Sequence, residues 1–293
     1  MGKSNELLDA LRPSLFREVD EQVEKCLNRA GLFFRVFSRV KSSPSSIGKI
    51  EKKNYCDNKK MQDLYGIRIA LYFRDDVEIC QQLICNTFKI VGPPVIDSSD
   101  SITFQPTRIN YVCALPTIVT EGLDKELWKL PIDKTFEIQV RTIFSEGWHE
   151  VEHDLRYKAA SDWDGHDDLA RSLNGILGTL ETCDWAINQL FQTLAHHKYK
   201  EKNWEAMLRN LLRIRIVNPV ISENIQAALE CSEFAKKLFR INRMKFLLSL
   251  GNHSLGNIPK TSNNLVYIAN ELYIKNKMLK TPSLIVDAVK KCI

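Results

Sequence analysis

The stretch from Phe136 to Lys158 constrains the chain most, because its side-chain period changes partway along. Phe136, Ile138, Val140 and Thr142 fall on one side of an extended segment, and Glu137, Gln139 and Arg141 on the other. A strand sends alternate side chains to opposite faces, so one face beds on a core while the other carries an acid, an amide and a guanidinium. From Ser145 the period becomes helical. Trp148, Val151, Glu152 and Leu155 share a side, and His149 and His153 stand one turn apart. An amphipathic strand and helix with a solvated polar face satisfies this pattern. A site satisfies it too if a second acid lies nearby. Asp63 is that acid, ahead of the strand-like run Ile67–Phe73. Two carboxylates on neighbouring strands can hold a hard divalent ion against a phosphate.

Other blocks surround these two. They are Ser38-Arg39-Val40-Lys41, Ser46-Ile47, Met61 through Ile69, Glu137 through Thr142, Trp148, Glu152-His153 and Tyr157-Lys158. In this order they resemble RelA/SpoT-type synthetase domains, which make the alarmone (p)ppGpp, and most of all the small stand-alone synthetases. The resemblance spans residues 10 to 160. It implies an α/β (α+β) fold: a mixed-sheet, nucleotidyltransferase-like core flanked by helices. The implied activity is transfer of pyrophosphate from ATP to the 3′-hydroxyl of GDP or GTP. Asp63 and Glu137 become the catalytic and Mg2+-binding carboxylates. Arg39 and Arg68 match the pair that sandwiches adenine, and Lys41 a phosphate-contacting position. Guanidinium planes stack on bases, which suits Arg there. Gln139 and Arg141 share the face of Glu137 and are expected to line the nucleotide cleft. His153 belongs to a retained motif, as a nucleotide-site residue or a satisfied structural histidine.

The acceptor loop departs from the family pattern. Tyr111 aligns with the tyrosine that stacks on guanine, but Asn110 stands where the family has Gly and Leu115 where it has His. Two alternatives therefore stay open: a toxic relative that pyrophosphorylates the 3′ end of tRNA, or a nucleotide-binding regulatory module without catalysis. His153-Asp154 and His166-Asp167 are His-Asp dipeptides. All six histidines lie at 149 or later, so the upstream metal-binding histidines of an HD hydrolase are missing.

The rest of the chain is read as flanking structure. Residues 1–37 read as a helical segment, with Leu7, Leu11, Leu15, Val19, Val23 and Leu27 as its apolar stripe, interrupted near Pro13. Phe33, Phe34 and Phe37 are expected to cover the sheet. Lys49, Lys52 and Lys53 fall on one side of a short helix, followed by Lys59 and Lys60. This is a solvated basic face or a triphosphate-binding wall. The synthetase core is expected over 38–195, with a hairpin or loop between Glu121 and Lys134. A linker or hinge is expected around His196–Lys202, and a helical accessory region over 200–293 for which oligomerisation, autoinhibition and partner sensing are all open. Net charge is +5, which suits a polyanionic substrate without demanding one. The eight cysteines form no CxxC pair and read as reduced thiols. With no signal-like or membrane-spanning run, the expected location is the cytoplasm, with no membrane partner.

Overall fold

The computed structural model describes residues 2–97, 108–251 and 253–292. Its strands are β1 (Phe34–Val40), β2 (Tyr65–Leu71), β3 (Val95–Asp97), β4 (Arg108–Ala114) and β5 (Thr135–Thr142). They form one sheet in the order β1-β2-β5-β4-β3. The central pair β2 and β5 is parallel, and the other pairings are antiparallel. The expected mixed sheet flanked by helices is therefore present. Helices α1 (Gly2–Asp9), α2 (Arg17–Ala30), α3 (Ser43–Lys53), α4 (Asp76–Thr87), α5 (Thr117–Gly122), α6 (Ile143–Glu152) and α7 (Asp167–Lys200) intersperse and follow the strands. Then come α8 (Trp204–Leu212), α9 (Glu223–Glu230), α10 (Ser232–Phe239), α11 (Arg243–Gly251), α12 (His253–Gly256), α13 (Ser262–Ala269) and α14 (Ser283–Lys290).

The chain forms two compact units that interleave along the sequence. Unit 1 comprises Met1–Glu24, Phe34–Leu71 and Ile84–Glu181; unit 2 comprises Lys25–Phe33, Tyr72–Leu83 and Thr182–Ile293. In unit 1, one face of the sheet is apolar. Ile67, Ile69, Phe136, Ile138 and Val140 are buried there, and Phe88, just after α4, meets Phe136 edge-on at 5.3 Å. Phe16 stacks on the buried ring of Tyr65 at 4.2 Å. The Tyr65 hydroxyl donates to Asp20 Oδ1 at 2.6 Å. Unit 2 is a helical assembly with Phe234, Phe246, Leu247 and Val266 in its core. It also buries an ionic cluster. Arg243 pairs with Asp75 at 3.3 Å and with Asp76 at 2.6 Å, and Arg213 also pairs with Asp75. Burial pushes the Asp76 carboxyl up to about 6; Arg243 opposes this and the charge of Asp75 adds to it.

Several expectations are corrected. Residues 1–37 are not helical throughout: α2 ends at Ala30, Gly31 takes a left-handed φ of +78°, and β1 begins at Phe34. Glycine adopts that conformation without the Cβ clash that would otherwise oppose it. The 3-10 turn Pro13–Phe16 shifts the apolar phase, so Phe16 is buried in place of Leu15, which is 42% exposed. Phe37 is 53% exposed rather than covering a core, because the β1 alternation turns it to the polar face of the sheet. The segment between Glu121 and Lys134 contains the end of α5 and a 3-10 turn rather than a hairpin. Val151 and Leu155 are exposed. No hinge begins at His196; α7 runs on to Lys200. Gln105–Thr107 of the acceptor loop, and most of the polar loop at Asp97–Asp100, lie outside the described residues. Among the described residues, no helix is long and apolar enough to cross a membrane.

Candidate active site

Strand register builds the site. Arg39 on β1 pairs with Gly66 on β2, which pairs with Glu137 on β5. One row along, Phe37, Arg68 and Gln139 align in the same way. Paired residues on neighbouring strands project to the same face, so two rows of mostly polar side chains cross three strands. They line an open cleft with Lys41 and Asp63. A Cβ built on Gly66 would meet nothing within 4 Å. The missing side chain therefore leaves the floor of the cleft open between Arg39 and Glu137.

Lys41 reaches the cleft because the β1–β2 ladder extends one bond beyond the strands. Its backbone N–H donates to the Leu64 carbonyl at 2.8 Å, which sets it beside Asp63. Ser42 then stands at the N-cap position of α3, with Pro in the first turn, and Asn54 closes that helix at φ +50°. From α3, Lys49 reaches Asp63. Lys41 and Lys49 place their ammoniums 2.8 and 2.7 Å from the same oxygen, Asp63 Oδ2. Burial alone would raise the Asp63 carboxyl, but the two lysines outweigh it and hold the group below the usual carboxylate range. Asp63 Oδ1 is buried and has no hydrogen-bond partner among the described residues. Lys52, Lys53 and Lys59 are exposed, so within the expected basic wall it is Lys49 that reaches the site.

The other carboxylate is fixed from α6. Thr142 Oγ1 caps this helix by accepting from the Ser145 N–H at 3.2 Å, which sets Glu146 in its first turn. Glu146 is 8% exposed. Its Oε1 accepts from Arg68 at 3.1 Å and its Oε2 from Arg141 at 2.8 Å. Arg68 also bonds Glu150. Arg141 donates onward to Gln139 Oε1 at 2.9 Å, and Gln139 Nε2 donates to Glu137 Oε2 at 3.2 Å. A continuous chain of polar contacts thus runs from α6 to Glu137. Neither Glu146 nor Glu150 stood out in the sequence. The available signal was two arginines on the polar sheet face that need countercharge, beside acids near the start of a helix.

The structure brings Arg39, Lys41, Asp63, Arg68, Glu137 and Gln139 together in one cleft. It does not bring Arg141, Tyr111 or His153 to that lining. Arg141 is 4% exposed and is drawn behind the cleft by Glu146. Tyr111 pairs with Ile138, so it lies on the apolar face and is 6% exposed; its neighbours Asn110 and Val112 pair with Gln139 and Glu137. Leu115 is buried as well. His153 opens a π-helical turn, His153–Tyr157, where its ring stacks on Tyr157 at 5.7 Å and meets Asp154 at 3.0 Å.

Two carboxylates facing one cleft, one with a partnerless buried oxygen, suit Mg2+. That ion takes one or two protein carboxylates and completes its shell with water and phosphate oxygens. Among the described residues no group of three or more His, Cys, Asp or Glu is placed to hold a metal ion.

Part of the chain is similar to known proteins. Residues 38–162 match the family described as "Region found in RelA / SpoT proteins". The chain is similar to GTP pyrophosphokinase YjbM of Bacillus subtilis, with 29% identity over 128 residues, covering 42% of this chain and 56% of that protein. The match thus spans little more than half the length of that relative. Similar solved structures include a GTP pyrophosphokinase family protein from Streptococcus pneumoniae, at 18% identity and TM-score 0.47, covering 61% of this chain and 86% of that one. Small alarmone synthetase 1 from Bacillus subtilis bound to its product pppGpp is also similar, at 19% identity and TM-score 0.49, covering 61% and 91%. Residues 38–162, somewhat under half of the chain, are thus similar to the region found in RelA / SpoT proteins.

Proposed function

We propose that the protein is an ATP-dependent pyrophosphokinase that transfers the β,γ-pyrophosphoryl unit of ATP to the 3′-hydroxyl of GDP or GTP. The transfer is assigned to residues 38–195, with 200–293 as an accessory region. The observation that carries the reading is the convergence of Asp63 and Glu137 with Arg39, Lys41, Lys49 and Arg68 around one cleft. The likeness to a GTP pyrophosphokinase supports it.

In this reading, Arg39 and Arg68 hold the adenine, and Arg68 is kept in place by Glu146 and Glu150. Lys41 and Lys49 contact the phosphates. The open floor at Gly66 lets the nucleotide lie close to the strands. A magnesium ion held by Asp63 and Glu137 would supply charge neutralisation at the phosphates. The acceptor oxygen bonds to Pβ, the bond from Pβ to the α-phosphate oxygen breaks, and AMP leaves. Glu137 is the carboxylate on the cleft face able to take the acceptor's proton. Positioning and charge stabilisation carry most of such catalysis.

One observation favours a second reading of the acceptor. Tyr111 and Leu115, at the positions of the guanine-binding pattern, are both buried. The 3′ end of tRNA is the alternative acceptor. The test offers labelled ATP with GDP, GTP or deacylated tRNA to the intact protein and to Asp63→Asn. Label on a guanosine nucleotide supports the first reading, and label on tRNA supports the second. ATP binding without transfer to any of them supports a non-catalytic nucleotide-binding module.

A further inference from the structure

Asp63 is held in an unusual way for a carboxylate meant to bind a cation. Two ammoniums from different elements, one beyond β1 and one on α3, converge on the single oxygen Oδ2, while Oδ1 is buried with no partner among the described residues. A structural ion pair needs one lysine. The second leaves an excess positive charge at the site and blocks a dication from the oxygen it would approach. Both lysine side chains stay partly open, at 22% and 33% exposure. A lysine head is a compact charge on a flexible stem, free to change partners without loss of its donors.

We propose that Lys41 and Lys49 act as placeholder cations. They occupy the metal carboxylate while the cleft lacks nucleotide and pass to the polyphosphate as it enters, which releases Asp63 to the divalent ion. Metal and nucleotide then bind as one coupled exchange, with both lysines held by Asp63 before it and by phosphate after it. The coupling is reciprocal: whatever detaches the lysines from Asp63 helps both ligands. This proposal rests on the reading of the cleft as a triphosphate site, and it adds that the free protein excludes the metal.

The exchange makes a counterintuitive prediction. Asp63→Asn removes a metal ligand, yet it frees two ammoniums for phosphate. In excess EDTA, calorimetry with ATP is therefore expected to show binding about tenfold tighter than in the unaltered protein. Glu137→Gln is the control. It removes the same charge from the same cleft, but the hydrogen bond to Glu137 shown here comes from the uncharged Gln139. Its gain is expected to be smaller. In a second arm, Mn2+ alone is titrated without nucleotide, followed by electron paramagnetic resonance. Lys49→Met is expected to tighten Mn2+ binding about fivefold or more. The proposal is overturned if Asp63→Asn gains no more than Glu137→Gln, or if Lys49→Met leaves Mn2+ binding unchanged. If no form binds ATP under any condition, the pyrophosphokinase reading fails by itself. The Mn2+ titration then decides the placeholder role alone.

Discussion

Glu146 gives the sharpest prediction about what holds the site together. It is a buried acid whose two oxygens are divided between Arg68 at 3.1 Å and Arg141 at 2.8 Å. Replacing it with Leu affects the two arginines unequally. Arg68 keeps Glu150 and has a partly open side chain, whereas the Arg141 side chain is only 3% exposed and loses the carboxylate bonded to it. Removing one partner of a buried ion pair costs about 3–5 kcal/mol, because the remaining charge stays desolvated. Arg141→Leu strips the same contact from the other end and leaves Glu146 with Arg68. Combining both changes removes both charges, and an apolar replacement of a whole pair is often close to neutral. The double variant is therefore expected to be at least about 2 kcal/mol more stable than the sum of the single costs predicts. The two units need not unfold together, so a whole-molecule melt is the wrong readout. Native-state hydrogen exchange at the β2 and β5 amides reports on the right region. A cost below about 1 kcal/mol for Glu146→Leu, or additivity within about 0.5 kcal/mol, would refute the reasoning.

Three further outcomes follow from individual positions. Gly66→Ala meets no atom in the fold, so urea denaturation should show a stability change within about 0.5 kcal/mol, while calorimetry shows weaker nucleotide binding as the methyl fills the cleft floor. Tyr111→Ala should cost about 3–5 kcal/mol as a core truncation, with the acceptor KM of the folded protein unchanged; a raised KM at unchanged stability would put this ring back in the cleft. Asp76 titrates at about 6 in the folded protein against an ordinary value of 3.8. The folded state binds more protons between those values, so this group lowers the stability of unit 2 as pH rises from about 4 to about 6. Asp76→Asn should flatten that limb in urea unfolding measured across the range.

Much of the architecture was legible because it rests on period. The alternation in β5 and the switch to helix after Thr142 follow from residue order, as do the buried Val19, Val23 and Leu27 of α2. What periodicity lacks is phase across a break and depth on a face. Pro13 resets the helical phase, so Leu15 and Phe16 exchange roles. Alternation puts Tyr111 opposite Asn110 and Val112, but only pairing with Ile138 shows which face is the core. Arg141 does share a face with Glu137, yet it lies at the end of the row where Glu146 covers it. In the basic helix, spacing groups Lys49 with Lys52 and Lys53; the approach of α3 to Asp63, a tertiary fact, separates them.

The most direct test of the central claim is the fate of ATP when the purified protein is given GDP or GTP with Mg2+. The account predicts AMP and a guanosine nucleotide carrying both the β and γ phosphates, formed in equal amounts, with both products lost in Asp63→Asn and Glu137→Gln. Formation of ADP in place of AMP, or undiminished transfer by either variant, would contradict it.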